Sequence, residues 1–199
     1  MKVLLATMNK GKVMELEGLL NDGKIEILSL SDLSDYQEVE ESGSTFAENA
    51  FIKARAACAT GKMITLADDS GLEVDALAGA PGVLSARYAG EPKNDEHNIE
   101  KLLTDLEGVP EENRTARFRC ALAIICPDGQ EYLTEGSVEG RILTERIGTG
   151  GFGYDPVFYL PDLQKTMAEL SLDEKNCLSH RARAFAKAVP LLTALMKSL

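Results

Sequence analysis

The sequence predicts an α/β fold built on an elongated mixed β-sheet flanked by helices, and three observations carry that expectation. Short apolar runs stop abruptly at polar residues, as at Val3–Ala6 and Met63–Ala67. Val13, Leu16, Leu19 and Leu20 then recur at helical spacing directly after the first run. Two long strand-like segments, 117–126 and 131–143, flank the turn Pro127-Asp128-Gly129. Strand followed by helix favours parallel pairing, whereas a hairpin is antiparallel, so the sheet is expected to contain both.

The elements follow in order. After the opening strand, turn and helix, Ile25, Ile27 and Leu28 suggest a second strand, and Ser31 to Ser44 is acidic and turn-rich. Thr45-Phe46-Ala47-Glu48 is a capping box that opens an alanine-rich helix to about Thr60, stopped by Gly61. The apolar run from Met63 leads straight into Asp68. Glycine and proline between Gly71 and Pro92 predict irregular structure, and Asn94 or Asp95 caps a helix bearing Ile99, Leu102, Leu103 and Leu106. The loop Gly148–Pro156 precedes a strand at 157–160, and Ser171-Leu172-Asp173-Glu174 is a second capping box. It starts a helical region expected to run to the C-terminus with a kink at Pro190. No repeat or linker interrupts the chain, so residues 1–199 read as a single α/β domain.

Composition removes several function classes. A formal charge of −11 argues against general nucleic-acid binding, which depends on a basic surface neutralising many phosphates. The initial apolar run is too short for a signal peptide, and no segment approaches the roughly 20 apolar residues of a membrane span. Cys58, Cys120, Cys126 and Cys177 are widely spaced with no C-x-x-C pair, which suits reduced thiols in a cytoplasmic protein. The sequon Asn113-Arg114-Thr115 is therefore set aside as chance. With only His97 and His180 and no clustered cysteines, zinc or a transition metal is not expected.

Five segments can carry chemistry. Thr7-Met8-Asn9-Lys10-Gly11-Lys12 lies between strand and helix, where phosphate-binding N–H groups collect, although it lacks the Walker A pattern. Asp68-Asp69-Ser70-Gly71 is read as leaving a buried strand; two adjacent carboxylates there repel each other unless a cation or a changed protonation state relieves them. Glu38, Glu40 and Glu41 of the acidic loop can complete a Mg2+ site, which needs only one or two carboxylates. Gly148-Thr149-Gly150-Gly151-Phe152-Gly153 fits G-x-G-x-x-G but leads into a strand, which excludes the dinucleotide-binding reading. Its aromatics Phe152 and Tyr154 beside Asp155 suit stacking and hydrogen bonding to a base, or else fold into the core. Lys175, His180 and Arg181 near the start of the final helix are candidate contacts for phosphate or a purine edge, and Lys53 is similarly ambiguous.

Taken together, Ala6-Thr7-x-Asn9-x-x-Lys12, Thr45-Phe46-x-Glu48-Asn49-Ala50, Ala67-Asp68-Asp69-Ser70-Gly71-Leu72, Pro81-Gly82-x-x-Ser85-Ala86-Arg87-Tyr88, Gly151-Phe152-Gly153-Tyr154-Asp155-Pro156, and Glu174-Lys175-Asn176 with Ser179-His180-Arg181 resemble the inosine triphosphate pyrophosphatase family, bacterial branch. The similarity spans nearly the whole chain. It implies a homodimer with two lobes per subunit and the active-site cleft between them. It also implies Mg2+-dependent hydrolysis of ITP, dITP and XTP, non-standard purine nucleotides, to the monophosphate and pyrophosphate. Carried over, Asp69 is the catalytic base and a metal ligand together with Glu40, with Glu41 as the alternative. Thr7, Met8, Asn9, Lys10, Gly11, Lys12, Ser70 and Lys175 contact the substrate, Phe152, Gly153, Tyr154 and Asp155 enclose the base, and His180 and Arg181 meet the purine edge. The rival readings are a non-catalytic purine nucleotide sensor and a phosphatase that releases orthophosphate.

Overall fold

The structure is a computed structural model that describes residues 2–20, 26–33 and 36–198. Ile25, Ser34 and Asp35 lie outside the described residues. Seven strands are hydrogen-bonded in the order β2-β1-β3-β4-β5-β6-β7: β1 Lys2–Leu5, β2 Glu26–Ser29, β3 Thr65–Val74, β4 Thr115–Ile125, β5 Glu131–Ile142, β6 Phe158–Leu160 and β7 Lys165–Thr166. β1 pairs in parallel with β2 and β3, while β5, β6 and β7 pair antiparallel, so the sheet is mixed as expected. The helices are α1 Lys10–Leu20, α2 Phe46–Gly61, α3 Asp95–Asp105, α4 Leu172–Leu178 and α5 His180–Ser198. Among the described residues no helix is long and apolar enough to cross a membrane.

The chain forms two compact units from interleaved segments. The first takes Met1–Asp69, Cys120–Gly136 and His180–Leu199, the second Ser70–Arg119 and Ser137–Ser179. In the first unit the strands are buried on both faces, so alternate residues feed two different seams. Val3, Leu5, Leu66, Leu122 and Ile124 pack with Leu16 of α1 and Phe185, Ala188 and Leu192 of α5. Leu4, Ala67, Ala121, Ala123 and Ile125 pack with Ala50, Ala54 and Ala57 of α2. Small side chains on both sides of this second seam let α2 lie close to the sheet. Gly136 of β5 allows a similar approach by the first turn of α5: a Cβ there would lie 2.2 Å from the His180 carbonyl oxygen and 2.5 Å from the Ala184 nitrogen.

The second unit has its own core, in which Leu72, Val74, Ile99, Leu102, Phe118, Val138, Phe158 and Met167 are buried. The Phe118 and Phe158 rings meet at 4.4 Å between centroids, tilted by 39°. Buried Arg114 donates to the carbonyl oxygens of Leu106 and Val109 at 2.8 and 3.0 Å, satisfying carbonyls where α3 ends.

Four expectations change. β3 does not end at Ala67 but continues to Val74, so Asp68, Asp69, Ser70 and Gly71 lie inside a strand rather than at its exit. The left-handed residue after α2 is Lys62, with φ 51°, whereas Gly61 stays helical. The C-terminal helical region breaks at Ser179, whose backbone is extended, and Pro190 sits within α5. β7 carried no visible signal, because a two-residue strand is too short to show alternation.

Candidate active site

In the first unit, the turn after β1 is organised by Asn9. Its side-chain oxygen accepts from the Gly11 and Lys12 amides at 2.9 and 3.2 Å, and Thr7 Oγ1 accepts from the Asn9 amide at 3.2 Å. These bonds satisfy donors that α1 would otherwise leave open at its start. Met8 and Asn9 are exposed, and Lys10 opens α1. Lys12 and Glu15, three residues apart on α1, reach the same buried cluster.

Asp68 and Asp69 are consecutive in a strand, so their side chains leave opposite faces of the sheet. Asp68 shares the face of Leu66, covered by α1 and α5. Its Oδ2 meets Lys12 Nζ at 3.0 Å and Arg181 Nε at 3.1 Å, and the Arg181 guanidinium also pairs with Glu15. Asp68 is 1% and Arg181 3% exposed. Burial opposes the charge on Asp68, but Lys12, Arg181 and Lys53 outweigh it and hold the carboxyl far below its ordinary range. Burial likewise opposes the charge on Arg181, while Asp68 and Glu15 keep it firmly protonated.

Asp69 faces α2. Its Oδ1 lies 2.9 Å from Lys53 Nζ, and its Oδ2 accepts from Asn49 Nδ2 at 3.3 Å. The Lys53 ammonium also lies 3.5 Å from Glu41 Oε2. Burial pushes the Asp69 carboxyl above its ordinary range against the pull of Lys53 and Lys12, with Glu41 adding to the rise. The two aspartates are therefore tuned in opposite directions. Asp68 is a fixed anion bound by cations, whereas Asp69 is a carboxylate whose affinity for a proton is enhanced, the property a general base requires.

A different group forms in the second unit. Lys175 Nζ meets Asp155 Oδ2 at 2.8 Å and stands over the Phe152 ring at 5.2 Å from its centroid. The same Asp155 oxygen accepts from the Phe152 amide at 2.9 Å. Gly151, with φ 75°, cannot be enlarged, because a Cβ would lie 2.0 Å from Asp155 Oδ2. An aromatic face, an acceptor and a cationic donor are thus held together by one short loop and one helix.

The Ham1 family profile matches residues 3–191. The chain belongs to the Ham1 family. It is 55% identical over 195 residues to the dITP/XTP pyrophosphatase of Desulforamulus reducens, covering 98% of this chain and 97% of that protein. It is 50% identical over 193 residues to the dITP/XTP pyrophosphatase of Bacillus subtilis, covering 97% and 98%. Among solved structures, a HAM1 protein from Coxiella burnetii superposes with a TM-score of 0.88 at 42% identity, covering 98% of this chain and 99% of that one. The Staphylococcus aureus Ham1 protein gives 0.85 at 42% identity, covering 100% and 99%. The resemblance drawn from the six motifs holds.

Within this Ham1 chain the anticipated residues have the following surroundings. Lys175, expected near phosphates, is paired to Asp155 beside Phe152. The Tyr154 ring, offered as a stacking face, is 4% exposed and packed in the core of the second unit. Glu41 faces Lys53, whereas Glu40, the preferred metal ligand, is exposed. His180 and Arg181 begin α5, while Lys175 belongs to α4, so the three are not one helix N-terminus. Ser70 is half-buried in β3. Glu15 and Asn49 were not singled out for a role. Asn49 and Lys53 were legible in principle, since residues four apart share a helix face, but their target becomes visible only once β3 is placed.

Proposed function

We propose that this Ham1 protein hydrolyses non-standard purine nucleoside triphosphates, ITP, dITP and XTP, to the monophosphate and pyrophosphate, clearing them from the nucleotide pool. The relatives' names point to this substrate class. The observation that carries the reading is the buried Asp69 carboxylate, raised in proton affinity and fixed by Lys53 and Asn49. Asp69 accepts the proton of an attacking water. Lys12, tethered by Asp68, and Lys53 stabilise charge on the phosphate oxygens and the departing pyrophosphate. The Thr7–Lys12 turn contacts the phosphates through its side chains, since the Asn9, Gly11 and Lys12 amides already donate within the turn.

The donor set fits a divalent metal. Glu41 and Asp69 already converge on one cation, the Lys53 ammonium, and two carboxylates leave the other positions to water and phosphate, as Mg2+ prefers. Among the described residues no group of three or more His, Cys, Asp or Glu could hold a metal, so a complete protein cage is not implied. We therefore assign the ligands as Asp69 and Glu41 in place of Glu40. When bound, Mg2+ would neutralise phosphate oxygens and acidify a coordinated water.

Phe152, Gly153 and Asp155 together with Lys175 are assigned to the base, while Tyr154, with its ring in the core, supports their loop. Arg181 keeps its proposed role at the purine edge with His180 and gains a second one in holding Asp68. Purines carrying an oxygen at position six accept from donors, whereas adenine would leave them unpaired. The interleaved units support residues 1–199 acting as one functional domain. A cytoplasmic homodimer is the expected form, and sedimentation measures its stoichiometry.

The test is release of pyrophosphate against orthophosphate from inosine, xanthosine, guanosine and adenosine triphosphates, with and without Mg2+. Pyrophosphate from the inosine and xanthosine substrates, dependent on Mg2+, is expected. Orthophosphate as first product would remove the mechanism, and tight binding without turnover would establish a sensor.

A further inference from the structure

The Pro81–Tyr88 motif has no part in the chemistry described so far, yet it is tied to the loop that bears Phe152 and Asp155. Ser85 lies in the 3-10 turn Gly82–Arg87, and its hydroxyl accepts from the Leu72 amide of β3 at 2.9 Å and donates to the Gly82 carbonyl at 2.6 Å. The buried Asn98 of α3 donates to the Ala86 carbonyl at 3.1 Å and accepts from the Ala89 amide at 2.7 Å. The segment is therefore fixed to a strand on one side and a helix on the other. From this anchor the Ser85 carbonyl accepts the Tyr154 hydroxyl at 2.8 Å. A second tie comes from the first residue of α3, where Asp95 Oδ2 accepts the Gly153 amide at 2.8 Å.

We propose that Tyr154 and Asp95 form a two-point clamp that positions the Phe152–Asp155 loop, with Ser85 as the anchor for one point. Tyr154 is a positioning residue and not a stacking surface: its ring fills the core and its hydroxyl fixes the loop. Gly153 has φ 58°, a backbone state open to glycine, so without the Asp95 tie this part of the loop would keep other conformations available. The clamp sets the Phe152 ring and the Asp155 carboxylate before substrate arrives, so the ordering entropy is not charged against binding. This inference rests on the assignment of that loop to the base, and it adds how the loop is held.

The experiment compares wild type, Tyr154→Phe, Asp95→Ala and Asp95→Asn. Tyr154→Phe keeps the ring and removes one hydroxyl. Asp95 is exposed, so its variants leave the core intact. Steady-state kinetics on inosine triphosphate are expected to show KM raised about tenfold in Tyr154→Phe and Asp95→Ala, about 1.4 kcal/mol of binding, with kcat within about twofold. Asp95→Asn retains an acceptor oxygen and should lie near wild type. Hydrogen exchange of the Phe152 to Asp155 amides is measured in parallel without substrate, and Gly153 should be protected in wild type and Asp95→Asn but not in Asp95→Ala. Unchanged exchange in Tyr154→Phe and Asp95→Ala overturns the clamp. Faster exchange with unchanged KM overturns its role in substrate positioning. If wild type turns over none of the panel, the functional reading fails, and the exchange data still decide whether the clamp exists.

Discussion

Two neighbouring aspartates should respond to the same substitution in opposite ways. In Asp68→Asn, Lys12 and Arg181 lose the carboxylate they share at 3.0 and 3.1 Å, in a place from which water is excluded. Breaking a buried pair by neutralising one partner costs about 3–5 kcal/mol. In a domain of this size each kcal/mol moves Tm by about 2–4 °C, so the expected loss is about 6–20 °C. Asp69→Asn removes a charge that burial already disfavours, and Lys53 keeps Glu41 at 3.5 Å. Its stability should stay within about 1 kcal/mol of wild type, a Tm change under about 4 °C, while turnover disappears. Thermal unfolding at pH 7 followed by circular dichroism, alongside pyrophosphate release, measures both. Equal Tm losses in the two variants would refute the claim that the carboxylates belong to separate circuits, and near-normal turnover in Asp69→Asn would remove it as the base.

Further outcomes follow from the same geometry. Glu41→Gln should raise the Mg2+ concentration needed for half-maximal rate, while Glu40→Gln should not; a metal titration of both decides between them, and the reverse result would restore Glu40. Gly136→Ala places a Cβ 2.2 Å from one backbone atom of α5 and 2.5 Å from another, so it should cost at least about 1–3 kcal/mol and lower kcat/KM by shifting the turn that carries Arg181. Wild-type stability in a denaturant titration would show that α5 can yield. With Cys58, Cys120 and Cys126 buried and Cys177 exposed, a thiol reagent at pH 8 should label one of the four cysteines quickly in the folded protein. Burial and the nearby Asp68 push the Cys120 thiol up to about 12, so rapid labelling there would contradict the packing around the Asp68 cluster.

Much of the fold was legible because its signals are local. Thr45 and Ser171 cap their helices as the boxes predict, each side-chain oxygen accepting from the amide three residues on. The extension of β3 past Ala67 was hidden because aspartate, serine and glycine have weak strand propensity, and buried cations on both faces override it here. The break at Ser179 was hidden as well: serine is neutral inside helices, whereas Pro190 looks disruptive yet is accommodated in α5. For the site, the motifs named the right segments but not their pairings. Lys175 with Asp155, and Glu15 with Arg181, are contacts between residues 20 and 166 positions apart, which no local pattern encodes.

The alternation of β3 also protects the chain against misassembly. A slip of one residue would still present an aspartate to each face, so charge alone could not reject the wrong pairing. Shape rejects it. Leu66 would take the place of Ala67 in the seam with Ala50, Ala54 and Ala57, overfilling a position packed around a methyl group, and Ala67 would leave a hole beside Leu16 and Phe185. The unequal pair Leu66-Ala67 thus acts as the key that assigns Asp68 to its structural anchor and Asp69 to its proposed chemistry.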